Sequence, residues 1–248
     1  MHTNVGSYPF HIASYMCDFQ GRAPLPLLGS LILHAASRHA HERGFGYDHI
    51  SRDKIAWVLS RLAIEWTDYP GRDEALTIET WVGEVARFYT QRCFRFVNAE
   101  GRAIGHARSV WAALDMCSRR PVNISEWRPD LAAYACGEIE CPVARPARIP
   151  AAEAGDVSRE YTVGYSDIDI NGHLNSVKYI EHTLDVFDLA VFRENVIRRF
   201  EITYLAEGHF GEALALRRQP VSENEYIVET LRGEESLCRS RISWERVR

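Results

Sequence analysis

The sequence predicts an α+β protein built from two copies of one module, each a long helix wrapped by an antiparallel sheet. Three observations predict this fold: two stretches with helical periodicity, a series of strand-like segments after each of them, and collinear similarity between the two halves. Of the 248 residues, 46% are hydrophobic and 25% are charged, which is the composition of a globular chain with a packed core.

Composition and charge exclude several other classes of protein. The net charge of −5 carries none of the basic excess typical of nucleic-acid-binding proteins. No apolar run approaches the roughly 20 residues that a membrane span requires, and the first residues lack the pattern of a signal peptide. We therefore expect a cytoplasmic protein with six reduced cysteines, and no pair of them has the CxxC spacing of a zinc or redox site.

Three sequence blocks occur twice in the same order. Tyr15 aligns with Tyr165 at an offset of 150 residues, and Ile64 aligns with Ile202 at an offset of 138. The segment ARSVW aligns with SRISW at an offset of 133. Collinear blocks with shrinking offsets indicate a duplicated module whose first copy has the longer connections.

Each copy is predicted to begin with a strand, a short polar loop and a long helix. The first helix is predicted at about Leu25 to Arg43 and the second at about Leu174 to Phe192, because apolar residues recur at helical spacing along one face. These residues are Leu28, Leu31, Ile32, Ala35 and Ala36 in the first helix, and Val177, Ile180, Leu184, Phe187 and Val191 in the second.

Strand-like segments follow each predicted helix, and hairpin turns are indicated at NAEGRA and LRGEES. The stretch 136–156 contains many prolines and alanines and is predicted to link the two copies. The boundaries therefore give an N-terminal module at residues 1–135 and a C-terminal module at residues 157–248. Two such sheets placed side by side would give each open edge a partner.

The segment YSDIDINGHLNSVKYIEH, residues 165–182, contains the D-x-D-x-N-G beginning of an EF-hand calcium loop. An EF-hand requires a glutamate at its twelfth position, where this chain has Lys178. Such a loop also follows a helix, whereas residues 159–165 alternate as a strand does. The calcium interpretation is rejected. No metal site is predicted elsewhere, since the histidines of the first helix lack the spacing of a ligand pair: His34, His39 and His41.

The same segment holds a set of polar residues suited to a site. Asp169, Asn171 and His173 alternate, so an extended backbone would place all three side chains on one side. A helix that begins near His173 or Leu174 would add free N–H groups and the positive end of its dipole.

The internal repeat predicts that this polar set occurs in one copy only. Under the offset of 150 its three members align with Phe19, Gly21 and Ala23. Under the offset of 138, Glu207 aligns with Tyr69. A residue needed by the scaffold would tend to appear in both copies, so this asymmetry predicts a single site in the C-terminal module.

Three segments carry a resemblance that, together with the order of the predicted elements, covers nearly the whole chain: TDYPGRDEALTIETWV at 67–82, SVWAALDMCSRRP at 109–121 and DIDINGHLNSVKYIEH at 167–182. With these segments the chain resembles the acyl-ACP thioesterase family, whose members have a double hot-dog fold of two tandem modules. The resemblance implies hydrolysis of a fatty acyl thioester on acyl carrier protein, with release of the free fatty acid. It also implies an acyl-chain pocket in the N-terminal module.

By this resemblance, the catalytic residues of the family correspond to Asp169, Asn171, His173 and Glu207. We expect Asp169 to attack the thioester or orient water, and Glu207 to act as general base or as its partner. Asn171 would position the carbonyl or the water, and His173 would donate a hydrogen bond. The family often has a cysteine after the glutamate, where this chain has Gly208, so no cysteine nucleophile is expected. The G-x-S-x-G motif of serine hydrolases is also absent from the sequence.

The resemblance implies acyl carrier protein as the partner and no cofactor. Acyl carrier protein is acidic, and a local basic patch can steer an acidic partner despite the net charge. Four arginine clusters are candidates for such a patch: 119–120, 198–199, 217–218 and 239–241. The sequence leaves open whether the chain forms a homodimer.

Three other functions remain open on the same scaffold. They are an acyl-CoA thioesterase, a dehydratase that acts on 3-hydroxyacyl chains, and a non-catalytic acyl-binding protein. The sequence does not determine the preferred chain length or saturation, nor the choice between carrier protein and CoA. It also does not determine which of Asp169 and Glu207 is the base or nucleophile.

Overall fold

A computed structural model describes residues 4–153 and 155–247 of the chain. These residues form two compact units that divide between Pro146 and Ala147. The division falls within the stretch 136–156, whose described residues before Asp156 form no helix or strand.

The stretch predicted as a linker is partly packed rather than solvated. On its N-terminal side, Cys136, Cys141 and Val143 are buried in one hydrophobic cluster of the first unit, together with Trp81 and Cys93. Beyond the division, Ile149 and Ala152 are buried against Ile227 of the second unit. Each half of the stretch therefore belongs to the core of the unit that it joins.

The first unit contains five strands among its described residues: β1 (Gly6–His11), β2 (Ile55–Trp66), β3 (Ala75–Val85), β4 (Thr90–Asn98) and β5 (Ala103–Asp115). They form an antiparallel sheet in the order β1-β3-β4-β5-β2. The hairpin between β4 and β5 turns at Gly101, whose φ of 78° favours glycine. This turn confirms the prediction from NAEGRA.

The long helix of the first unit, α1, spans Leu25–Glu42, as the periodicity predicts, and contacts β3. Its N-cap is Pro24, and a second proline lies in its first turn. Proline is tolerated there because the N–H groups of the first turn make no hydrogen bond within the helix, so none is lost. Four of the five residues of the predicted apolar stripe are buried, and Leu31 is half-buried. Two short helices follow along the chain, α2 (Tyr47–Ile50) and α3 (Ile124–Trp127).

The second unit repeats this arrangement over its described residues. Its strands are β6 (Asp156–Thr162), β7 (Asn195–Tyr204), β8 (Ala213–Ser222), β9 (Glu225–Arg232) and β10 (Glu235–Arg246). They form an antiparallel sheet in the order β7-β10-β9-β8-β6. The turn between β9 and β10 is at Gly233, with a φ of 59°, as LRGEES predicts.

The second long helix is interrupted, so the prediction of one helix from Leu174 to Phe192 is wrong. The structure has α4 at Ser176–Leu184 and α5 at Leu189–Glu194. Asp185 is the C-cap of α4, and Asp188, with an extended backbone, is the N-cap of α5. Aspartate favours caps over helix interiors because its side chain competes for nearby backbone groups. None of the described helices is both long enough and apolar enough to cross a membrane.

Candidate active site

The loop that holds the predicted polar set is a tight turn, so the prediction of an extended stretch is wrong. A short 3-10 helix at Tyr165–Asp167 precedes it. The backbone N–H of Asp169 donates to the carbonyl of His173 at 2.8 Å, and the N–H of Gly172 donates to the carbonyl of Asp169 at 3.0 Å. Gly172 has a φ of 80°, which glycine adopts without strain.

The Asp169 carboxylate holds this turn together. Its Oδ1 accepts from the backbone N–H of Asn171 at 2.8 Å and from that of His173 at 3.3 Å. Its Oδ2 faces the amide Nδ2 of Asn171 at 3.3 Å. One carboxylate oxygen is thus committed to the backbone, and the other lies beside the Asn171 side chain.

The helix after the loop begins later than predicted. α4 starts at Ser176, and Asn175 caps it by accepting from the N–H of Val177 at 2.8 Å. The N–H groups of Leu174 and Asn175 donate to carbonyls elsewhere in the unit. These three N–H groups therefore already have protein acceptors.

A second loop, after β7, brings Glu207 to the first. The N–H of Leu174 donates to the carbonyl of Gly208 at 2.8 Å, and Tyr179 Oη donates to the carbonyl of Ala206 at 3.4 Å. Arg232 adds a bond to the Glu207 carbonyl at 3.3 Å. Backbone and side-chain contacts on both sides of Glu207 thus set its position.

Within the site, His173 lies between the two acidic residues. Its backbone N–H bonds Asp169, and its ring Nδ1 lies 3.5 Å from Glu207 Oε1. His173 and Glu207 are both half-buried, with side-chain exposures of 27% and 35%. The structure therefore brings together all four residues that the sequence predicts: Asp169, Asn171, His173 and Glu207.

His209 joins this group, and sequence reasoning missed it. Its ring packs edge-on against that of His173, with centroids 5.2 Å apart. One ligand-type atom from each of His173, Glu207 and His209 lies within 4.8 Å of the others. The offset of 138, which pairs Glu207 with Tyr69, also pairs His209 with Gly71. A comparison of the two copies could therefore have marked His209 as a residue found in the second copy alone.

An ionic group supports the second loop. Glu212 Oε2 accepts from the His209 N–H at 2.9 Å, and Glu212 Oε1 accepts from Arg232 at 2.6 Å. Burial acts to raise the pKa of Glu212, but the His209 N–H and the Arg232 guanidinium together lower it. Glu212 is therefore a charged anchor for the loop.

The same turn exists in the first unit, at an offset of 151 rather than 150. Asp18 Oδ1 accepts from the N–H of Gln20 at 2.8 Å and from that of Arg22 at 3.1 Å. The N–H of Asp18 donates to the carbonyl of Arg22, and Gly21 has a φ of 76°. These are the bonds of the Asp169 turn, so the alignment of Asp169, Asn171 and His173 with Phe19, Gly21 and Ala23 is wrong by one residue.

This register changes which residues distinguish the two units. Asp169 has an equivalent in Asp18, so its bonds to the backbone belong to the scaffold. The second loop keeps the offset of 138, because Ala23 N–H donates to the Pro70 carbonyl as Leu174 N–H donates to Gly208. The chemical differences are then at the side chains: Gln20, Arg22, Tyr69 and Gly71 in the first unit against Asn171, His173, Glu207 and His209 in the second.

Gly208 is held where a side chain has little room. A Cβ placed there would lie 3.1 Å from Tyr179 Oη and 3.2 Å from the Leu174 side chain. A side chain at this position would therefore require Tyr179 or Leu174 to shift by a few tenths of an ångström.

Asp167, the other aspartate of the loop, is buried away from this group. Its Oδ2 accepts from the N–H of Gly164 at 2.8 Å, and its Oδ1 lies 3.5 Å from His182 Nε2. Burial lowers the pKa of His182, against the opposing effect of Asp167. The His182 ring stacks on Tyr161 with centroids 3.7 Å apart. These contacts give Asp167 a structural role in the loop.

Comparison with known proteins identifies two family models in this chain. The model described as the acyl-ACP thioesterase N-terminal domain matches residues 4–129, and the one described as the C-terminal domain matches residues 151–246. A crystal structure of an acyl-ACP thioesterase from Bacteroides thetaiotaomicron is 39% identical, covers 98% of each chain and superposes with a TM-score of 0.91.

Plant proteins are more distant in sequence. The 12:0-ACP thioesterase from Umbellularia californica is 19% identical, with coverage of 100% of this chain and 99% of the other and a TM-score of 0.89. The superpositions on the Bacteroides and Umbellularia structures confirm the predicted double hot-dog fold class. A palmitoyl-acyl carrier protein thioesterase from Gossypium hirsutum is 25% identical over 82% of this chain and 52% of its own length. The chain spans about half the length of the curated relatives it matches.

Proposed function

The chain belongs to the acyl-ACP thioesterase family, and from that membership we propose that it hydrolyses the thioester between a fatty acyl chain and acyl carrier protein. The products are a free fatty acid and the carrier thiol. One observation carries the assignment to a site: His173 and Glu207 lie 3.5 Å apart in the second unit, and Arg22 and Tyr69 occupy the equivalent positions in the first.

We assign the base to Glu207. Its carboxylate takes a proton from a water molecule as the water oxygen attacks the thioester carbonyl carbon. The Oδ1 of Asp169 already accepts two backbone N–H groups, which favours orienting water over direct attack for this residue. The two carboxylates thus have different tasks because their hydrogen-bond partners differ.

Asn171 and His173 supply the donors. Attack by water places negative charge on the carbonyl oxygen, and fixed donors stabilise that charge in the transition state. Collapse of the tetrahedral intermediate breaks the C–S bond, and the proton held by Glu207 is available to the departing thiolate. The His173 ring, beside Glu207, can carry that proton across the site.

The arginine clusters differ in their suitability for an acidic carrier. In two clusters the arginines are paired with carboxylates of the same unit: Arg198 with Glu245, Arg199 with Glu201, Arg239 with Glu229 and Arg241 with Glu225. In a third, Arg218 donates to the Val186 carbonyl. Arg119 and Arg120 are exposed, whereas the arginines of the other three clusters are only partly exposed. On this difference in exposure we propose that Arg119 and Arg120 contribute to carrier docking.

Docking at this pair predicts a selective effect. The double substitution of Arg119 and Arg120 by serine should raise KM for acyl-ACP and weaken its dependence on ionic strength, because long-range steering is screened by salt. Hydrolysis of acyl-CoA should be unaffected, since CoA lacks the acidic protein surface. An equal rise in KM for both substrates would contradict the docking proposal.

The central experiment measures free thiol released by purified protein from a series of acyl-ACP and acyl-CoA substrates. We expect release from acyl-ACP, with a maximum at one chain length. Faster release from acyl-CoA would favour the acyl-CoA alternative, and conversion of 3-hydroxyacyl substrates to enoyl products would favour a dehydratase. Acyl-ACP binding without thiol release would favour a non-catalytic acyl-binding protein. Oligomeric state and a cytoplasmic location stay predictions of the sequence.

A further inference from the structure

The side chains of His173, Glu207 and His209 form a group whose geometry suits a transition-metal ion. Around tetrahedral zinc, with bonds of about 2.0–2.2 Å, neighbouring ligand atoms lie about 3.3–3.5 Å apart. His173 Nδ1 and Glu207 Oε1 are 3.5 Å apart. A ligand atom of His209 lies within 4.8 Å of both, and the His209 side chain is 50% exposed.

The charges around this group favour a cation. Glu207 contributes one negative charge, and Glu212 approaches His209 Nδ1 at 3.5 Å. The nearby guanidinium of Arg232 is paired with two carboxylates, those of Glu212 and Glu235. Carboxylates therefore outnumber the single arginine, and the two imidazoles are neutral ligands when deprotonated.

The donor set also selects the kind of ion. Two imidazole nitrogens and one carboxylate oxygen suit zinc and its neighbours in the first transition series, whereas magnesium and calcium prefer oxygen ligands. Three protein ligands leave a fourth position open, as in zinc sites that are accessible from solvent. In the first unit the equivalent residues are Arg22, Tyr69 and Gly71, which cannot form this set.

We propose that His173, Glu207 and His209 bind one divalent transition-metal ion, for which Zn²⁺ is the probe, and that the bound ion inhibits the enzyme. Binding itself needs only these three side chains. Inhibition rests on the proposed function: an ion on Glu207 occupies the electron pairs that would accept the proton of water, and an ion on His173 removes its ring from proton transfer.

Binding is tested without substrate. Calorimetric titration of the full chain with Zn²⁺ should show one site. His209→Ala should lower the affinity by at least about 10-fold, because loss of even an outer-shell partner of a metal ligand typically costs about 10–100-fold. The cysteines that are not buried, Cys17 and Cys117, can also bind zinc, so all proteins carry Cys17→Ser and Cys117→Ser. Excess Mg²⁺ should not displace the zinc.

His34→Ala is the matched control, because His34 is an exposed histidine on α1 of the first unit. It should bind Zn²⁺ like the parent. Equal affinities for the parent and His209→Ala would overturn the proposal, as would the lack of binding to the parent at micromolar Zn²⁺. Circular dichroism of each variant excludes a loss of folding as the cause.

Inhibition is measured separately, relative to the rate of each variant without metal. Zn²⁺ should inhibit thiol release by the parent, a chelator should restore it, and His209→Ala should need at least about 10-fold more Zn²⁺. One bound Zn²⁺ without inhibition would overturn the inhibitory role while leaving the metal site established. A protein that binds Zn²⁺ but releases no thiol from any substrate would overturn the proposed function alone.

Discussion

His173 Nδ1 lies 3.5 Å from Glu207 Oε1, and both residues are replaced, by Arg22 and Tyr69, at the equivalent positions of the first unit. The backbone hydrogen bonds around the two positions correspond. Asp18 and Asp169 close the two turns, and the N–H groups of Ala23 and Leu174 donate to the carbonyls of Pro70 and Gly208 in the neighbouring loops. The pair is therefore a chemical difference on a common scaffold.

Glu207→Gln should abolish most of the hydrolysis. An amide keeps the size of the side chain and cannot take a proton from water, so we expect kcat to fall by about 10²–10⁴-fold. Thiol release under substrate saturation measures it. Tyr69→Phe, at the equivalent position of the first unit, should leave kcat unchanged, and a similar loss in that control would argue against a site at Glu207.

His173 and Glu207 should act as a unit. Each single substitution to glutamine removes the proton path that both share, so the double variant should be about as slow as the slower single variant. A complete double-mutant cycle in kcat provides the measurement. Losses that multiply across the cycle would show that the two side chains act independently.

Asp169→Asn and Asp18→Asn should separate the scaffold role from the chemical role. The asparagine oxygen can still accept the two backbone N–H bonds, so each variant should lose only about 1 kcal/mol in the free energy of unfolding. Only Asp169→Asn should lower kcat. Urea denaturation and thiol release are measured on the same preparations, and an equal loss of kcat in both variants would assign Asp169 to the scaffold alone.

Gly208→Ala should destabilise the second unit. The new Cβ would lie 3.1 Å from Tyr179 Oη and 3.2 Å from Leu174, and overpacking of this kind costs about 1–3 kcal/mol. Gly137→Ala is the control, because its Cβ would meet only the Gly83 carbonyl, at 3.6 Å. Thermal unfolding should show a midpoint below that of the parent for Gly208→Ala and an unchanged midpoint for Gly137→Ala. Equal midpoints for both variants would mean that the loop accommodates the new Cβ without loss of stability.

The stability of the first unit should depend on pH through His39. Burial, and then the Arg92 guanidinium that bonds its Nδ1 at 2.8 Å, lower the pKa of His39 to about 3. An unfolded histidine has a pKa of about 6.5. Between these values the unfolded chain binds the extra proton, so this contribution is complete above about pH 6.5 and is lost as the pH falls toward 3.

Replacement of this histidine should flatten that dependence. His39→Gln removes the titrating group, so its unfolding free energy should vary less between about pH 5 and pH 7 than that of the parent, by up to about 1.4 kcal/mol per pH unit. His34→Gln, on the exposed face of the same helix, is the control and should keep the slope of the parent. Urea midpoints at the two pH values give the comparison, and an unchanged slope in His39→Gln would contradict the assignment.

The sequence by itself determined the features that depend on local periodicity. The span of α1, the strands, the glycine turns between hairpin strands and the duplication were all readable, because helical and strand spacing must match the face that each element buries. The resemblance assigned catalytic roles to Asp169, Asn171 and His173 from one short motif, and to Glu207 from a separate segment after the next long strand; those roles stay predictions.

The tertiary structure decided what depends on contacts between distant segments. Asp169 aligns with Phe19 at an offset of 150 residues and with Asp18 at an offset of 151. Only the hydrogen bonds of Asp18 show that the second alignment is the structural one. His209 reaches His173 because the Leu174 N–H joins the two loops at Gly208. Such contacts leave no periodic pattern in the chain, since each depends on how two separate loops close against each other in the folded unit.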